Sequence, residues 1–149
     1  MSRVQLALNV ADLEASIAFY TQLFGTEPSK IREGYANFAI ADPPLKLVLF
    51  TGVGEPGSLN HIGVEVDDAE AVGAMIDLAN ELGLDQEIQH DVSCCFAVQD
   101  KTWVRGPEND WEFYYVKADA PSMSCSVGDT ASGWAEGVGG VPVATSRCC

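Results

Sequence analysis

One strand-helix pattern occurs twice in this chain, and that repeat limits the fold more than any single residue does. VQLALNVADLEASIAFYTQLFG (4–25) reads as an alternating strand, an Asp cap, an amphipathic helix and a terminating Gly25. NHIGVEVDDAEAVGAMIDLANELG (60–83) repeats that order and closes on Gly83, with an offset of 56 residues between Gln5 and His61. In the first helix Leu13, Ile17, Tyr20 and Phe24 share one stripe; in the second Val72, Met75, Ile76, Ala79 and Leu82 do the same, and both stripes are expected in the core. Short β-rich stretches follow each helix, at about 27–32, 35–41 and 45–51 and again at about 86–91, 96–105 and 111–117. Each half is therefore read as a βαβββ module, and the fold class as α+β.

The modules span about 1–52 and 58–118, joined by TGVGEPGS (51–58), whose turn formers predict an exposed connector acting as a hinge. From 119 to 149 the chain is rich in Gly, Ser and Ala without apolar period, which predicts a flexible, mostly disordered tail. A formal charge of −14 excludes nucleic acids and anionic membranes as partners, because both would repel it. No apolar run is long enough for a span, and MSRVQLALNV lacks the regions of a signal peptide, so a cytoplasmic protein is expected.

Strand alternation sorts the polar residues. Val4, Leu6, Leu8 and Val10 form the face expected against the first helix, which leaves Gln5, Ala7 and Asn9 on the other. In the second module His61, Gly63 and Glu65 take that other face, so Gln5 and His61 are equivalent positions. In the last strand of each module the equivalent residues are Lys46 and Glu112. If the modules pair their sheets into a cup, Gln5, His61 and Glu112 converge at its base. An amide, an imidazole and a carboxylate suit a divalent first-row metal and leave open positions for small ligands; a protonated Lys46 cannot be a fourth donor. His90, in a polar stretch with no symmetric partner, is placed on the surface.

Cys94 and Cys95 are adjacent. Neighbouring Cα atoms lie about 3.8 Å apart, too close for an unstrained disulfide, so two free thiols are expected. Both can serve one ligand only if the backbone bends there, because on a regular strand they would point to opposite faces. A second adjacent pair, Cys148 and Cys149, ends the chain, with Cys125 before it.

These residues resemble the vicinal oxygen chelate superfamily, the glyoxalase and extradiol dioxygenase fold, in which paired βαβββ modules enclose a divalent metal. DLEASIAFYTQLFGTEP is similar to that family's first helix and following turn. VQLALNV, GYANFAI, PPLKLVL, NHIGVEV and CCFAVQDKTWVRGPENDWEFYYV look like the cadmium-induced protein branch and its non-haem Fe(II) carbon-arsenic lyases, a likeness covering about 1–118. The resemblance implies Fe(II)- and O2-dependent cleavage of the carbon-arsenic bond of trivalent organoarsenicals to arsenite, in arsenical detoxification. It carries the iron ligands onto Gln5, His61 and Glu112 and arsenic binding onto Cys94 and Cys95; outside the likeness, Cys148 and Cys149 are read from their adjacency either as accessory thiols or as incidental cysteines of a terminal remnant. Gln5 stands where the superfamily's dioxygenases usually offer a His, which implies weak iron binding. A soft-ion sequestration protein without turnover is the alternative, and an enzyme acting on a carbon substrate is a third reading that leaves the cysteine pair without a role. A homodimer, mated through exposed strand edges, is compatible with either.

Overall fold

The computed structural model describes residues 1–123; residues 124–149, and with them Cys125, Cys148, Cys149 and the expected disorder of the tail, lie outside the described residues. The first module consists of β1 (Arg3–Asn9), α1 (Leu13–Phe24), β2 (Lys30–Arg32), β3 (Tyr35–Ile40) and β4 (Leu45–Phe50). The second consists of β5 (Leu59–Glu65), α2 (Ala69–Glu81), β6 (Gln86–Cys94), β7 (Ala97–Val104) and β8 (Trp111–Asp119). All eight strands share one mixed sheet in the order β2-β3-β4-β1-β5-β8-β7-β6, and exchanging the two modules maps this order onto itself. The modules join through the antiparallel pair β1 and β5.

Both helices begin where the sequence places an Asp cap. Asp12 accepts from the Ala15 N–H at 3.0 Å and Asp68 from the Ala71 N–H at 2.9 Å, each satisfying a donor that the first helical turn cannot, for about 1 kcal/mol apiece. Gly25 and Gly83 follow with left-handed φ of 60° and 65°, the conformation that stops a helix without a Cβ clash. Leu13, Ile17, Tyr20 and Phe24 pack on Ala36, Phe38, Ile40, Leu47 and Leu49, with Leu6, Leu8 and Val10 beside them. In α2, Val72 and Ala79 are buried, but Leu82 is 63% exposed. The expectation for Leu82 is thereby corrected: it caps the helix, where the backbone leaves the stripe.

On β1 the more deeply buried face is the polar one. Gln5, Ala7 and Asn9 are buried, whereas Val4, expected against the helix, is 44% exposed. The sheet curls until its two ends meet: Lys30 Nζ on β2 donates to the Phe96 carbonyl at 3.0 Å, and the rings of Tyr35 and Phe96 lie 5.4 Å apart. The concave side is thus enclosed by protein, while a single helix per module covers the convex side.

The connector is exposed but is not a hinge. The Asn9 N–H donates to Ser58 O at 3.0 Å, the Gly57 N–H to Asn9 O at 2.8 Å and Asn9 Nδ2 to Ser58 Oγ at 2.9 Å. Gly54 lies so close that a Cβ there would come within 2.4 Å of Asn9 Nδ2. These contacts staple 51–58 to the end of β1. No helix among the described residues is long and apolar enough to cross a membrane.

Candidate functional site

Strand pairing sets Lys46, Gln5, Gly63 and Glu112 side by side across β4, β1, β5 and β8, with His61 one step along β5 on the same face. The three expected donors converge. Gln5 Nε2 stands 2.7 Å from His61 Nε2 and 3.0 Å from Glu112 Oε2, and His61 Nε2 lies 3.4 Å from Glu112 Oε2. Both Gln5 distances run from its amide nitrogen and are hydrogen bonds to the His61 ring and the Glu112 carboxylate, so the three side chains meet at one point. Gly63 keeps the row open, since a Cβ there would lie 2.6 Å from the Glu112 carbonyl oxygen. Among the described residues no three His, Cys, Asp or Glu side chains form a metal cluster, so a centre here depends on the Gln5 amide.

His61 is held by a chain of amides that sequence reasoning missed. Its Nδ1 lies 2.8 Å from Asn60 Oδ1, which can only accept, so Nδ1 carries the proton and Nε2 presents its lone pair to the centre. Asn60 Nδ2 donates to Asn9 Oδ1 at 2.9 Å, Asn9 Nδ2 to Ser58 Oγ, and Ser58 Oγ to the Glu55 carbonyl at 2.6 Å. The stapled connector therefore fixes the imidazole's tautomer from outside the cup, the orienting role that outer partners play around metal-binding histidines.

Two further residues were also missed. Lys101, fully buried on β7, places its Nζ 2.5 Å from Glu112 Oε1. Burial alone would raise the Glu112 carboxyl, but the charge and hydrogen bond of the Lys101 ammonium outweigh it and bring the pKa down to about 2. Glu112 is thus a carboxylate with one oxygen on Lys101 and the other toward Gln5 and His61. Tyr114, buried one step beyond Glu112, donates to Gln5 Oε1 and lies 3.0 Å from Glu65 Oε2. Glu65 is held ionised, burial notwithstanding, by Lys46 at 2.8 Å and Arg3 at 3.0 Å. Strand alternation carried the signal for both, since Lys101 shares a face with Ala97 and Gln99, and Tyr114 with Glu112.

The bend required at the cysteines is a two-residue hairpin turn. Cys94 pairs with Ala97, so Cys95 and Phe96 form the turn between β6 and β7, both with left-handed φ, 52° and 61°. Cys95 lines the same cavity as Gln5, His61, Glu112, Gln99 and Lys101, a space of about 60 Å³. Gln99 Oε1 there is buried and has no hydrogen-bond partner among the described residues. The expectation of two free thiols is corrected: both cysteines are in disulfide form. The two sulfurs lie 3.5 Å apart. His90 is 65% exposed and stands 3.7 Å from Asp100, away from the cavity.

A family model described as Glyoxalase/Bleomycin resistance protein/Dioxygenase superfamily matches residues 3–103. The chain is 58% identical to a protein of Thermomonospora curvata named trivalent organoarsenical cleaving enzyme, over 83% of each. It is 54% identical to the cadmium-induced protein CadI of Mycobacterium tuberculosis, over all of this chain and 93% of that one. Among solved structures, a Mn(II)-bound glyoxalase from Novosphingobium aromaticivorans superposes with a TM-score of 0.56 at 18% identity, covering 85% of this chain and 44% of the other. An extradiol ring-cleaving dioxygenase from B. fuscum gives 0.56 at 23% identity, covering 79% and 33%. These two likenesses are of fold.

Proposed function

The chain belongs to the glyoxalase, bleomycin resistance protein and dioxygenase superfamily, and from that premise we propose that it is an Fe(II)- and O2-dependent enzyme cleaving the carbon-arsenic bond of trivalent organoarsenicals to arsenite. Gln5, His61 and Glu112 would hold the iron, which when bound supplies the activation of dioxygen. The observation that carries the reading is that Cys95 and the three donors line one cavity.

The chain's own share is capture and orientation. As thiolates, Cys94 and Cys95 displace oxygen ligands from soft trivalent arsenic, and with sulfur bonds of about 2.3 Å a single thiophilic atom reaches two sulfurs 3.5 Å apart. The hairpin turn aims the captured substrate at the donors, which replaces a collisional encounter with a positioned one. The disulfide form has to be reduced by a small thiol before arsenic can bind. Lys101 keeps Glu112 ionised and directs its free oxygen inward, and Asn60 keeps the His61 lone pair there. The catalytic unit is the stretch 1–118, and the protein acts on small molecules in the cytoplasm as part of arsenical detoxification.

The test is arsenite released per protein from a trivalent organoarsenical, with iron-loaded, thiol-reduced protein, in air and without oxygen. Many turnovers in air and none without oxygen are expected. Cys95→Ser should retain iron and lose cleavage. Release no greater than one per protein in air would overturn the enzyme reading and favour metalloid sequestration, the reading that likeness to a cadmium-induced protein keeps in view.

A further inference from the structure

Gln5 is turned with the wrong end inward for a ligand. Its Nε2 faces His61 and Glu112, at 2.7 and 3.0 Å, and its Oε1 accepts from the Tyr114 hydroxyl. An amide nitrogen donates two protons and has no lone pair for a metal; only Oε1 can ligate. The observed orientation is nevertheless well satisfied, because the His61 lone pair and the Glu112 carboxylate both accept from it. The ligating orientation is a half-turn of the amide about its last side-chain bond. That rotation carries Nε2 to Tyr114 Oη, where a donor now stands, so the hydroxyl must become an acceptor. It has somewhere to send its proton: Glu65 Oε2 lies 3.0 Å away and is held as a carboxylate by Lys46 and Arg3.

We propose that Tyr114, backed by Glu65, is the positioning residue that lets the Gln5 amide turn, donating to Oε1 in one orientation and accepting from Nε2 while donating to Glu65 in the other. The inference rests on Gln5 being a metal ligand. Both orientations give Oε1, Nε2 and the Tyr114 hydroxyl at least one partner each, the turned one counting the metal as the partner of Oε1. This matters because Gln5 is 5% and Tyr114 1% exposed, and a buried N–H without an acceptor is the expensive outcome. A histidine at position 5 would offer a ring nitrogen and need no such turn. A glutamine needs a neighbour able to reverse its hydrogen bond, and a hydroxyl with a second acceptor is the smallest group that can.

The test is Co(II) affinity, read from d–d absorption in competition with a chelator, for Tyr114→Phe in the Gln5 and the Gln5→Glu backgrounds. With Gln5 present, Tyr114→Phe should weaken binding by about tenfold or more, since Nε2 of the turned amide loses its acceptor. With Gln5→Glu the two carboxylate oxygens are alike and no N–H needs a home, so the same change should alter affinity less than about twofold. Equal weakening in both backgrounds would show a merely structural role and overturn the proposal, as would no weakening with Gln5. In the unaltered protein, Zn(II) should move the nuclear Overhauser contacts of the Gln5 Nε2 protons from the His61 ring to the Tyr114 ring; contacts that stay on His61 overturn it. Gln5→Ala separates the two levels. If it leaves Co(II) affinity unchanged, Gln5 is no ligand and both readings fall, whereas weakening by Gln5→Ala without weakening by Tyr114→Phe removes the pivot alone.

Discussion

The two hairpins at the ends of the sheet follow one plan with different residues. β2 and β3 turn through Glu33 and Gly34, with Gly34 in the left-handed position at φ 69°, the residue that adopts it without penalty. β6 and β7 turn through Cys95 and Phe96, both left-handed and neither glycine, at about 1–2 kcal/mol each. The second turn tolerates this because it is anchored: Phe96 is buried against Tyr35, and its carbonyl accepts from Lys30 and from the Ala120 N–H. A thiol and an aromatic ring are held where a turn alone would favour Asn-Gly. The donor row shows the same divergence. Lys46 and Glu112 hold equivalent positions with opposite charge, each in a Lys-Glu pair, and only the second module's pair points a carboxylate at the centre.

The largest effect is expected from removing that charge difference. Glu112→Gln keeps a hydrogen-bond acceptor for Lys101 but removes the only carboxylate among the donors, so iron binding and arsenite release should each fall by more than about 100-fold. Glu112→Ala is the poorer variant because it removes the acceptor as well as the charge beside the fully buried Lys101 ammonium and endangers the fold. Normal iron content in Glu112→Gln would break the comparison, since the two halves would then be equally competent.

At the turns, Phe96→Gly sets backbone relief against packing. Relief is worth about 1 kcal/mol, whereas losing a buried Phe costs about 3–5 kcal/mol, so packing wins and the urea midpoint should fall by the equivalent of about 2 kcal/mol or more. A stabilised variant would mean that strain dominates this hairpin. Gly34→Ala, the matched change in the other hairpin, should cost about 1–2 kcal/mol; a Cβ there also approaches Thr51 Oγ1 to 3.3 Å.

The last expectation is a direction. Glu112 titrates at about 2 in the folded protein against an ordinary 4.5. A depressed carboxyl contributes stability that is complete above its unfolded value and is lost as pH falls through the folded one. Metal-free protein should therefore lose stability progressively from about pH 4.5 toward pH 2, and Glu112→Gln should flatten part of that loss in acid denaturation curves.

The repeat, the caps Asp12 and Asp68, the stops Gly25 and Gly83 and the alternation placing Gln5, His61 and Glu112 on one face were legible because each is a local signal with a fixed period. Curvature was not. Nothing between 3 and 9 says that the face bearing Gln5 and Asn9 is the more buried, since that follows from β2 meeting the β6–β7 turn across the cup. The turn at Cys95 and Phe96 was hidden for the opposite reason: it lacks the Gly or Asn that marks such turns, and long-range contacts hold it instead. Lys101 went unnoticed because its partner, Glu112, lies on a different strand.

The row from Lys46 through Gln5 and Gly63 to Glu112 has a consequence for how such a chain can change over time. Side chains alternate faces with period two, so every donor's place depends on counting residues along β1, β5 and β8 as much as on which residues they are. Many point substitutions on the convex face leave that count intact. Deleting one residue between Ile62 and Glu65 would keep Gln5, His61 and Glu112 in the sequence, yet carry His61 or its neighbours across the sheet and scatter the donors. Lineages carrying this site should therefore drift freely in composition while their strands conserve length to the residue, with insertions confined to loops away from 51–58.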